Sequence, residues 1–200
     1  MEIMMDIRVV NLNKAFGSHI VLENMNLLFA GGKRTVIMGE SGCGKTTLLR
    51  ILMGLEPQSS GEIKGTPEYI SAVFQEDRLL EEFSAVSNIA FAADKGVTKE
   101  LILRHLDELG LRENARQSAG ELSGGMKRRV VIARAMLAKK ELLLLDEPFK
   151  GLDDRNRDST AAYIKRHSEG VTTIIVTHDI YEVALMEATL IRMGNYSNTA

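Results

Sequence analysis

The sequence GESGCGKT at residues 39–46 constrains the fold of this chain more than any other feature. It follows the apolar run TVIM, which is typical of a buried strand, and precedes TLLRILM, whose apolar residues predict a helix. Between a strand and a helix, glycines let consecutive backbone N–H groups face an anion, and the helix N-terminus points at the same place. Lys45 adds a positive charge there, and Thr46 adds a hydroxyl. The pattern predicts a binding site for a nucleoside triphosphate.

The composition is that of one ordinary globular domain, which we expect to span residues 1–200. The chain is 44% hydrophobic and 26% charged, with a formal net charge of −2. Because the chain is near neutral, no nucleic-acid partner is expected. The single cysteine, Cys43, excludes a disulfide within the chain. The acidic amino terminus is not typical of a signal peptide, and no uncharged apolar run approaches about 18 residues, so no membrane-spanning segment is expected.

Two carboxylates follow the clearest predicted strand. Residues 142–145 are four consecutive leucines, as a central parallel strand covered on both faces requires, and Asp146 and Glu147 come next. An acid after such a strand commonly helps to hold Mg²⁺, and a second acid can accept a proton from the water that attacks a γ-phosphate. The structural alternative is a solvated acidic turn.

Gln75 and His178 occupy corresponding positions after two other predicted strands, at residues 69–74 and 171–176. Parallel strands present their carboxyl ends at one edge of the sheet, where doubly wound folds bind ligands. We therefore expect both side chains near the phosphate loop. A purely structural histidine is the alternative for His178.

A second helix start carries glycines. Ser123 is a predicted N-cap, and Gly124 and Gly125 leave the beginning of the following helix uncovered, which predicts a second terminus able to receive an anion. An ordinary capped helix is the alternative. The basic triplet at residues 127–129 follows, and because adjacent residues fan around a helix, it is predicted to be a solvent-exposed surface.

The predicted elements alternate between strands and helices, which indicates an α/β fold. Strands at residues 7–13 and 21–30 precede the phosphate loop, and residues 78–120 are predicted to be a mostly helical insertion. Phe16, next to Gly17 between the first two strands, is either a core residue or a flat face for an adenine ring.

In this order, the motifs resemble those of the ABC-type ATPase family, most closely the nucleotide-binding subunits of small-solute importers. The resemblance covers residues 7–193, and its most specific part is LSGG at residues 122–125, between a phosphate loop and a DEP strand. It implies a P-loop NTPase core with a mostly parallel central sheet, an N-terminal antiparallel β-subdomain and an inserted α-helical subdomain at about residues 78–135.

The resemblance also implies that the chain is an ATPase that uses ATP and Mg²⁺. It assigns ATP contacts to Phe16, Ser41, Gly42, Cys43, Gly44, Lys45, Thr46 and Thr47 and, from an opposite subunit, to Ser123, Gly124, Gly125 and Asp153. The implied Mg²⁺ ligands are Thr46, Gln75 and Asp146. The implied catalytic residues are Glu147, which would be the general base, together with His178, Gln75 and Lys45.

Two protein partners are implied. One is a second ATPase subunit, expected to be an identical copy, which faces the first head to tail so that ATP bridges them. The other is an integral membrane transporter subunit, docked on the segment from Gln75 to Phe91, which would place the chain peripherally on the cytoplasmic face of the inner (plasma) membrane. Glu81 and Glu82 depart from the family pattern, since importers often carry Pro-Trp at these positions.

Two other functions are weighed against transport. A soluble ABC-family ATPase of translation or DNA repair usually has two tandem cassettes or a long coiled-coil insertion, for which 200 residues leave no room. A P-loop phosphotransferase with an accidental LSGG would release ADP only with an acceptor present.

Overall fold

The structure is a computed structural model that describes residues 5–194. Its strands are β1 Ile7–Phe16, β2 His19–Phe29, β3 Arg34–Met38, β4 Ser60–Lys64, β5 Ile70–Val73, β6 Leu142–Asp146, β7 Thr172–Thr177 and β8 Thr189–Arg192. Its α-helices are α1 Lys45–Leu52, α2 Ala85–Ala90, α3 Lys99–Glu108, α4 Gly124–Leu137, α5 Asp154–His167 and α6 Ile180–Met186. The prediction that no signal peptide is present rests on residues 1–6, of which residues 1–4 lie outside the described part.

Five strands form a parallel central sheet in the order β5-β6-β7-β3-β8, as predicted. In β6, Leu143 and Leu145 pack into the core on the side of α3, α4 and α5, whereas Leu142 and Leu144 pack with α1 and the N-terminal strands. All four leucines are fully buried. Because both faces of the strand are covered, it is apolar throughout.

The N-terminal strands form a separate antiparallel sheet in the order β2-β1-β4, which confirms the predicted antiparallel β-subdomain. The first strand extends three residues beyond the prediction and ends at Phe16, which pairs with His19. Gly17 adopts a φ of 60° in the two-residue connection, so the ladder continues up to the turn. Phe16 is therefore the last residue of a strand rather than part of a loop between strands.

Residues 78–120 contain less helix than predicted. They hold α2, α3 and a 3-10 turn at Ala119–Glu121, and the remaining residues form loops. Thr98 caps α3 as expected, because its hydroxyl accepts a hydrogen bond from the N–H of Leu101 at 3.2 Å, and Gly110 follows the helix with a φ of 67°.

The loop before α2 is ordered by a buried side chain, Asn88, which is 2% exposed. Its amide accepts a hydrogen bond from the N–H of Leu80 and donates to the carbonyls of Leu80, Phe83 and Ser84 at 2.8–3.1 Å. These bonds replace the backbone bonds that a helix would supply. Because a single side chain makes these bonds, the loop has no periodic sequence pattern.

The basic triplet at residues 127–129 is not the solvent-exposed surface that was predicted. Arg128 is 2% exposed, and Arg129 is partly buried and donates to the carbonyl of Leu109 at 2.6 Å. Arg128 precedes Val131 and Ile132 by three and four residues and so lies on the buried face of α4. Its charge is tolerated there because its donors all have acceptors.

Helices α3 and α5 are joined by a cluster of three aromatic side chains. His105 Nδ1 lies 2.6 Å from the hydroxyl of the buried Tyr163, and both rings contact His167, with centroids 4.4 and 4.5 Å apart. Burial, and then the charge of His167, lower the pKa of His105 to about 4. His105 is therefore neutral in the folded protein at neutral pH.

We expect this cluster to make the fold acid-labile. Below pH about 6.5, an unfolded histidine takes up a proton that folded His105 does not accept until about pH 4, so the free energy of unfolding falls between these values. His105→Asn removes the titration and keeps a polar atom for Tyr163. The melting temperature of His105→Asn should fall less between pH 7.5 and 5 than that of the wild type. His19→Asn, at an exposed histidine, is the control, and an identical fall in all three proteins would contradict the assignment.

Candidate active site

The parallel sheet brings the ends of its strands to a common edge. Met38 of β3 pairs with Thr177 of β7, and Val176 of β7 pairs with Asp146 of β6. The loops after β3, β6 and β7 therefore begin next to one another. The phosphate loop, the Asp146–Glu147 pair and His178 follow these three strands.

The phosphate loop leads directly from β3 into α1. Gly44, the residue before α1, has a φ of 94°, in the left-handed region. A Cβ atom there would lie 2.5 Å from Leu22 Cδ2 and 3.0 Å from the carbonyl oxygen of Val21. This position requires glycine both for its conformation and for the close approach of β2. The uncapped N–H groups of α1 remain available to an anion.

Lys45, the first residue of α1, is buried beneath this loop. Its Nζ donates to the carbonyls of Gly39 and Glu40, both at 2.7 Å. Cys43 is 3% exposed, and its sulfur lies 3.7 Å from the same Nζ. The Cys43 side chain packs into the core below the loop, so only its backbone is suited to contact a phosphate.

Thr46 and Asp146 meet across the start of α1 and the end of β6. The Thr46 hydroxyl donates to Asp146 Oδ2 at 2.8 Å. Burial raises the pKa of Asp146, the hydrogen bond from Thr46 opposes this shift, and the charge of Glu147 adds to it. Two oxygen side chains, one of them a buried carboxylate, are a donor set suited to a hard divalent cation.

Glu147 adopts a left-handed backbone conformation, with a φ of 50°, immediately after β6. Its N–H donates to the carbonyl of Val176 at 2.9 Å, and its Oε1 lies 2.9 Å from His178 Nδ1. The hydrogen bond and the charge of Glu147 raise the pKa of His178. The carboxylate is 17% exposed and the imidazole 77%, so the pair lies at the mouth of the site.

A cavity of about 600 Å³ opens at this edge of the sheet. The predicted site residues that line it are Ser41, Gly42, Gly44, Lys45, Thr46, Thr47, Gln75, Asp146, Glu147 and His178. Three residues that were not predicted to belong to the site also line it, namely Val21, Lys150 and Val176. Lys150 lies three residues after Glu147, and a basic residue so near the end of a buried strand was a usable signal.

The remaining predicted ATP-contacting residues do not line this cavity. Phe16 is 49% exposed, and Lys14 Nζ lies 4.5 Å from its ring centroid. Ser123 is exposed and caps α4 by accepting a hydrogen bond from the N–H of Met126 at 3.3 Å. Asp153 caps α5 in the same way, and its hydrogen bond from the N–H of Asn156 lowers its pKa.

The beginnings of α4 and α5 lie close together. A Cβ atom on Gly125 would be 3.3 Å from the carbonyl oxygen of Gly151 and 3.4 Å from Leu152. Ser123, Gly124 and Asp153 are all exposed beside this contact. The structure therefore places the second glycine-bearing helix start and Asp153 on one surface, outside the cavity.

No helix among residues 5–194 combines the length and the apolar character that crossing a bilayer requires.

Comparisons with known proteins agree with this geometry. Residues 22–150 match the ABC transporter family. The chain is 38% identical over 199 residues to aliphatic sulfonates import ATP-binding protein SsuB 2 of Pseudomonas syringae pv. tomato, covering 98% of this chain and 84% of that protein. It is 41% identical over 180 residues to the protein of the same name from Frankia alni, covering 88% and 72%.

A solved structure shows the same fold. The ATP-bound structure of a bacterial Atm1-family ABC exporter superposes with a TM-score of 0.83 at 22% identity, over 96% of this chain and 38% of the exporter chain. The family match and the relatives support the transport ATPase and give no support to a soluble factor of translation or DNA repair. The chain belongs to the ABC transporter family, as one of its ATP-binding, ATP-hydrolysing subunits.

Proposed function

We propose that two copies of this chain enclose ATP head to tail, each nucleotide lying between the phosphate loop of one copy and the Ser123–Gly125 helix start of the other. The observation that supports this is the separation of two anion-receptive helix starts. One opens into the cavity, whereas the other is exposed on a different surface. A second copy is needed for both to reach one nucleotide, and Asp153, beside the second helix start, would lie in the same interface.

The triphosphate and Mg²⁺ would bind in the cavity. The backbone of residues 41–47 would surround the phosphates, with the Lys45 ammonium directed at the β- and γ-phosphates. Thr46, Gln75 and Asp146 would hold Mg²⁺, because all three line the cavity and carry oxygen donors, and the Thr46 hydroxyl lies 2.8 Å from the Asp146 carboxylate. Mg²⁺ would neutralise charge on the β- and γ-phosphates. Phe16, half exposed at the end of β1, would stack on the adenine ring.

Hydrolysis would use the Glu147–His178 pair. The Glu147 carboxylate accepts a proton from water as the water oxygen attacks the γ-phosphorus. The bond between that phosphorus and the bridging oxygen breaks, and ADP leaves with the electron pair. His178 lies 2.9 Å from Glu147. It would contact the γ-phosphate and orient the attacking water. Loss of the γ-phosphate removes contacts that only the closed dimer makes, so the dimer opens.

The helical subdomain, at residues 78–135, would transmit this opening to a membrane subunit. An apolar patch there consists of Leu80, Phe83 and Phe91, which are 52%, 45% and 62% exposed. The two phenylalanine rings pack edge to face with centroids 5.2 Å apart, and Asn88 fixes the loop that carries Leu80 and Phe83. An ordered, exposed apolar patch is suited to bind another protein. This contact would hold the chain on the cytoplasmic face of the membrane.

Phe91→Asp tests this docking proposal. We expect the wild-type chain to co-purify with an integral membrane protein from detergent-solubilised native membranes, and Phe91→Asp to lose at least about tenfold of that protein, because a carboxylate would enter an apolar contact. ATP hydrolysis by the isolated variant should match that of the wild type. Leu55→Asp, at an apolar residue 53% exposed elsewhere, is the control and should co-purify normally. Equal recovery with both variants would rule out this surface.

The names of the relatives make an aliphatic sulfonate the first solute to test. The cargo would be bound by the membrane partner, and Glu81 and Glu82 distinguish this docking surface from the usual importer pattern. A reconstituted complex whose ATP hydrolysis is stimulated by a sulfonate and its binding protein would establish the solute. Stimulation by an unrelated solute alone would assign a different cargo.

A further inference from the structure

Arg128, near the candidate site, is a charged side chain whose three nitrogens all donate hydrogen bonds. It lies one turn into α4 and is 2% exposed. Its nitrogens donate at 2.5–3.2 Å to four backbone carbonyls and one carboxylate, those of Phe74, Asp146, Glu147 and Pro148 and that of Asp77. A planar guanidinium has donors in several directions and can satisfy acceptors from separate segments at once.

Three of these carbonyls belong to consecutive residues, Asp146 to Pro148. In an extended strand, successive residues alternate in direction, so three carbonyls in a row reach one donor group only if the chain turns there. The turn is at Glu147, whose φ is 50°. For a residue other than glycine this conformation is unfavourable, and it persists only where neighbouring groups stabilise it. Arg128 stabilises the turn by donating hydrogen bonds to its three carbonyls.

The remaining two acceptors flank Gln75. The carbonyl of Phe74 accepts from Nη1 at 2.6 Å, and the Asp77 carboxylate accepts from the same nitrogen at 3.1 Å. One guanidinium therefore connects the segment that carries Gln75 to the turn that carries Glu147. Both residues line the cavity, whereas Arg128 does not.

We propose that Arg128 is a positioning residue for ATP hydrolysis. Arg128 holds the backbone turn at Glu147 and thereby the position of the Glu147 carboxylate, and it fixes the segment that carries Gln75 relative to that carboxylate. The inference rests on the roles proposed above for Glu147 and Gln75. Arg128 does not line the cavity, so it would act through Glu147 and Gln75 rather than by contact with ATP. A lysine has a single nitrogen and cannot bond to both segments in this way, so charge alone does not replace it.

The test compares Arg128→Lys with Arg134→Lys. Arg134 lies on the same helix and also donates to two carbonyls, those of Asp77 and Arg78, but it does not reach the end of β6. We expect Arg128→Lys to lower kcat by about tenfold to a hundredfold, because small displacements of catalytic groups cost rate steeply. Its Kd for ATP should change by less than about twofold, since the phosphate loop is untouched. Arg134→Lys should keep kcat within about twofold of the wild type.

A spectroscopic measurement separates positioning from general loss of packing. The chain has four histidines, so its imidazole NMR signals are few. The His178 signals at fixed pH should move in Arg128→Lys and stay in place in Arg134→Lys, because His178 is bonded to Glu147. Asp77→Ala removes the one side-chain acceptor of Arg128 and replaces Arg128→Lys in the test if Arg128→Lys does not fold. It should lower kcat in the same direction by roughly threefold, as expected for one partly exposed ion pair.

Wild-type turnover in Arg128→Lys would overturn the proposal, and so would equal losses in Arg128→Lys and Arg134→Lys. If Arg128→Lys does not fold, unchanged turnover in Asp77→Ala would overturn it. Glu147→Gln, measured in parallel, keeps this result distinct from the proposed function. If Glu147→Gln is inactive and Arg128→Lys is fully active, only the positioning role fails. If Glu147→Gln itself turns over normally, the proposed catalytic role of Glu147 fails.

Discussion

Glu147→Gln is expected to lower ATP turnover by about 10² to 10⁴-fold while leaving ATP binding intact. The amide keeps the size of the side chain and cannot take a proton from water. The phosphate loop, Lys45 and Thr46 are unchanged, so the affinity for ATP should remain within a few-fold of the wild type. Because hydrolysis then no longer opens the dimer, the variant should accumulate as an ATP-stabilised dimer.

Phosphate release and gel filtration with ATP and Mg²⁺ measure the two effects. Glu113→Gln, at an exposed carboxylate outside the cavity, is the matched control and should behave as the wild type does. A Glu147→Gln protein that elutes only as a monomer under these conditions would contradict the closed-dimer mechanism. Retention of normal turnover would exclude Glu147 as the base.

Lys45→Ala is expected to lose nucleotide binding rather than turnover alone. The substitution removes the buried ammonium at the phosphate loop, and a hydrogen bond to a charged group of about 3 kcal/mol corresponds to roughly a hundredfold in Kd. Equilibrium binding of a fluorescent ATP analogue measures the loss. Lys33→Ala, at an exposed lysine before β3, is the control. Unchanged affinity in Lys45→Ala would contradict the assignment of the phosphate loop.

The same variant reports on the sharing of sites between copies. A mixture of Lys45→Ala and Ser123→Arg subunits contains mixed dimers in which the intact phosphate loop of one copy faces the intact helix start of the other. If each nucleotide is shared, these dimers regain ATP turnover that neither variant has alone. If each site lies within one copy, the mixture stays inactive, because every copy carries one defect.

The parts of the site that sequence predicts well are those built from consecutive residues. The phosphate loop needs a strand, glycines and a helix start in direct succession, so residues 39–46 identify it without tertiary information. The leucines before Asp146 likewise indicate a strand buried on both faces. Parallel pairing then brings Gln75, Glu147 and His178 to the same edge, and the cavity contains all three.

The sequence is less informative where tertiary contacts decide the outcome. Arg128 is buried because carbonyls from two separate segments, the loop after β5 and the turn after β6, surround it. A charged residue within a basic triplet gives no sign of that. Lys150 lines the cavity because the chain turns after β6, and the sequence does not show that turn. Helix α6 has only seven residues, which is too short for a clear helical periodicity. The loop before α2 lies within residues 78–120, which were predicted to be mostly helical, but the side chain of Asn88 orders it as a loop. The contacts that Ser123 would make with a second copy depend on both chains and do not follow from the sequence of one.

The distance between Ser123 and the γ-phosphate shows whether two copies share each nucleotide. It can be measured in a crystal structure of Glu147→Gln with ATP and Mg²⁺, in which hydrolysis does not destroy the complex. We expect the Ser123 hydroxyl of one copy to lie within hydrogen-bond distance, about 3 Å, of the γ-phosphate bound to the phosphate loop of the other. A structure in which Ser123 is far from every terminal phosphate would contradict it.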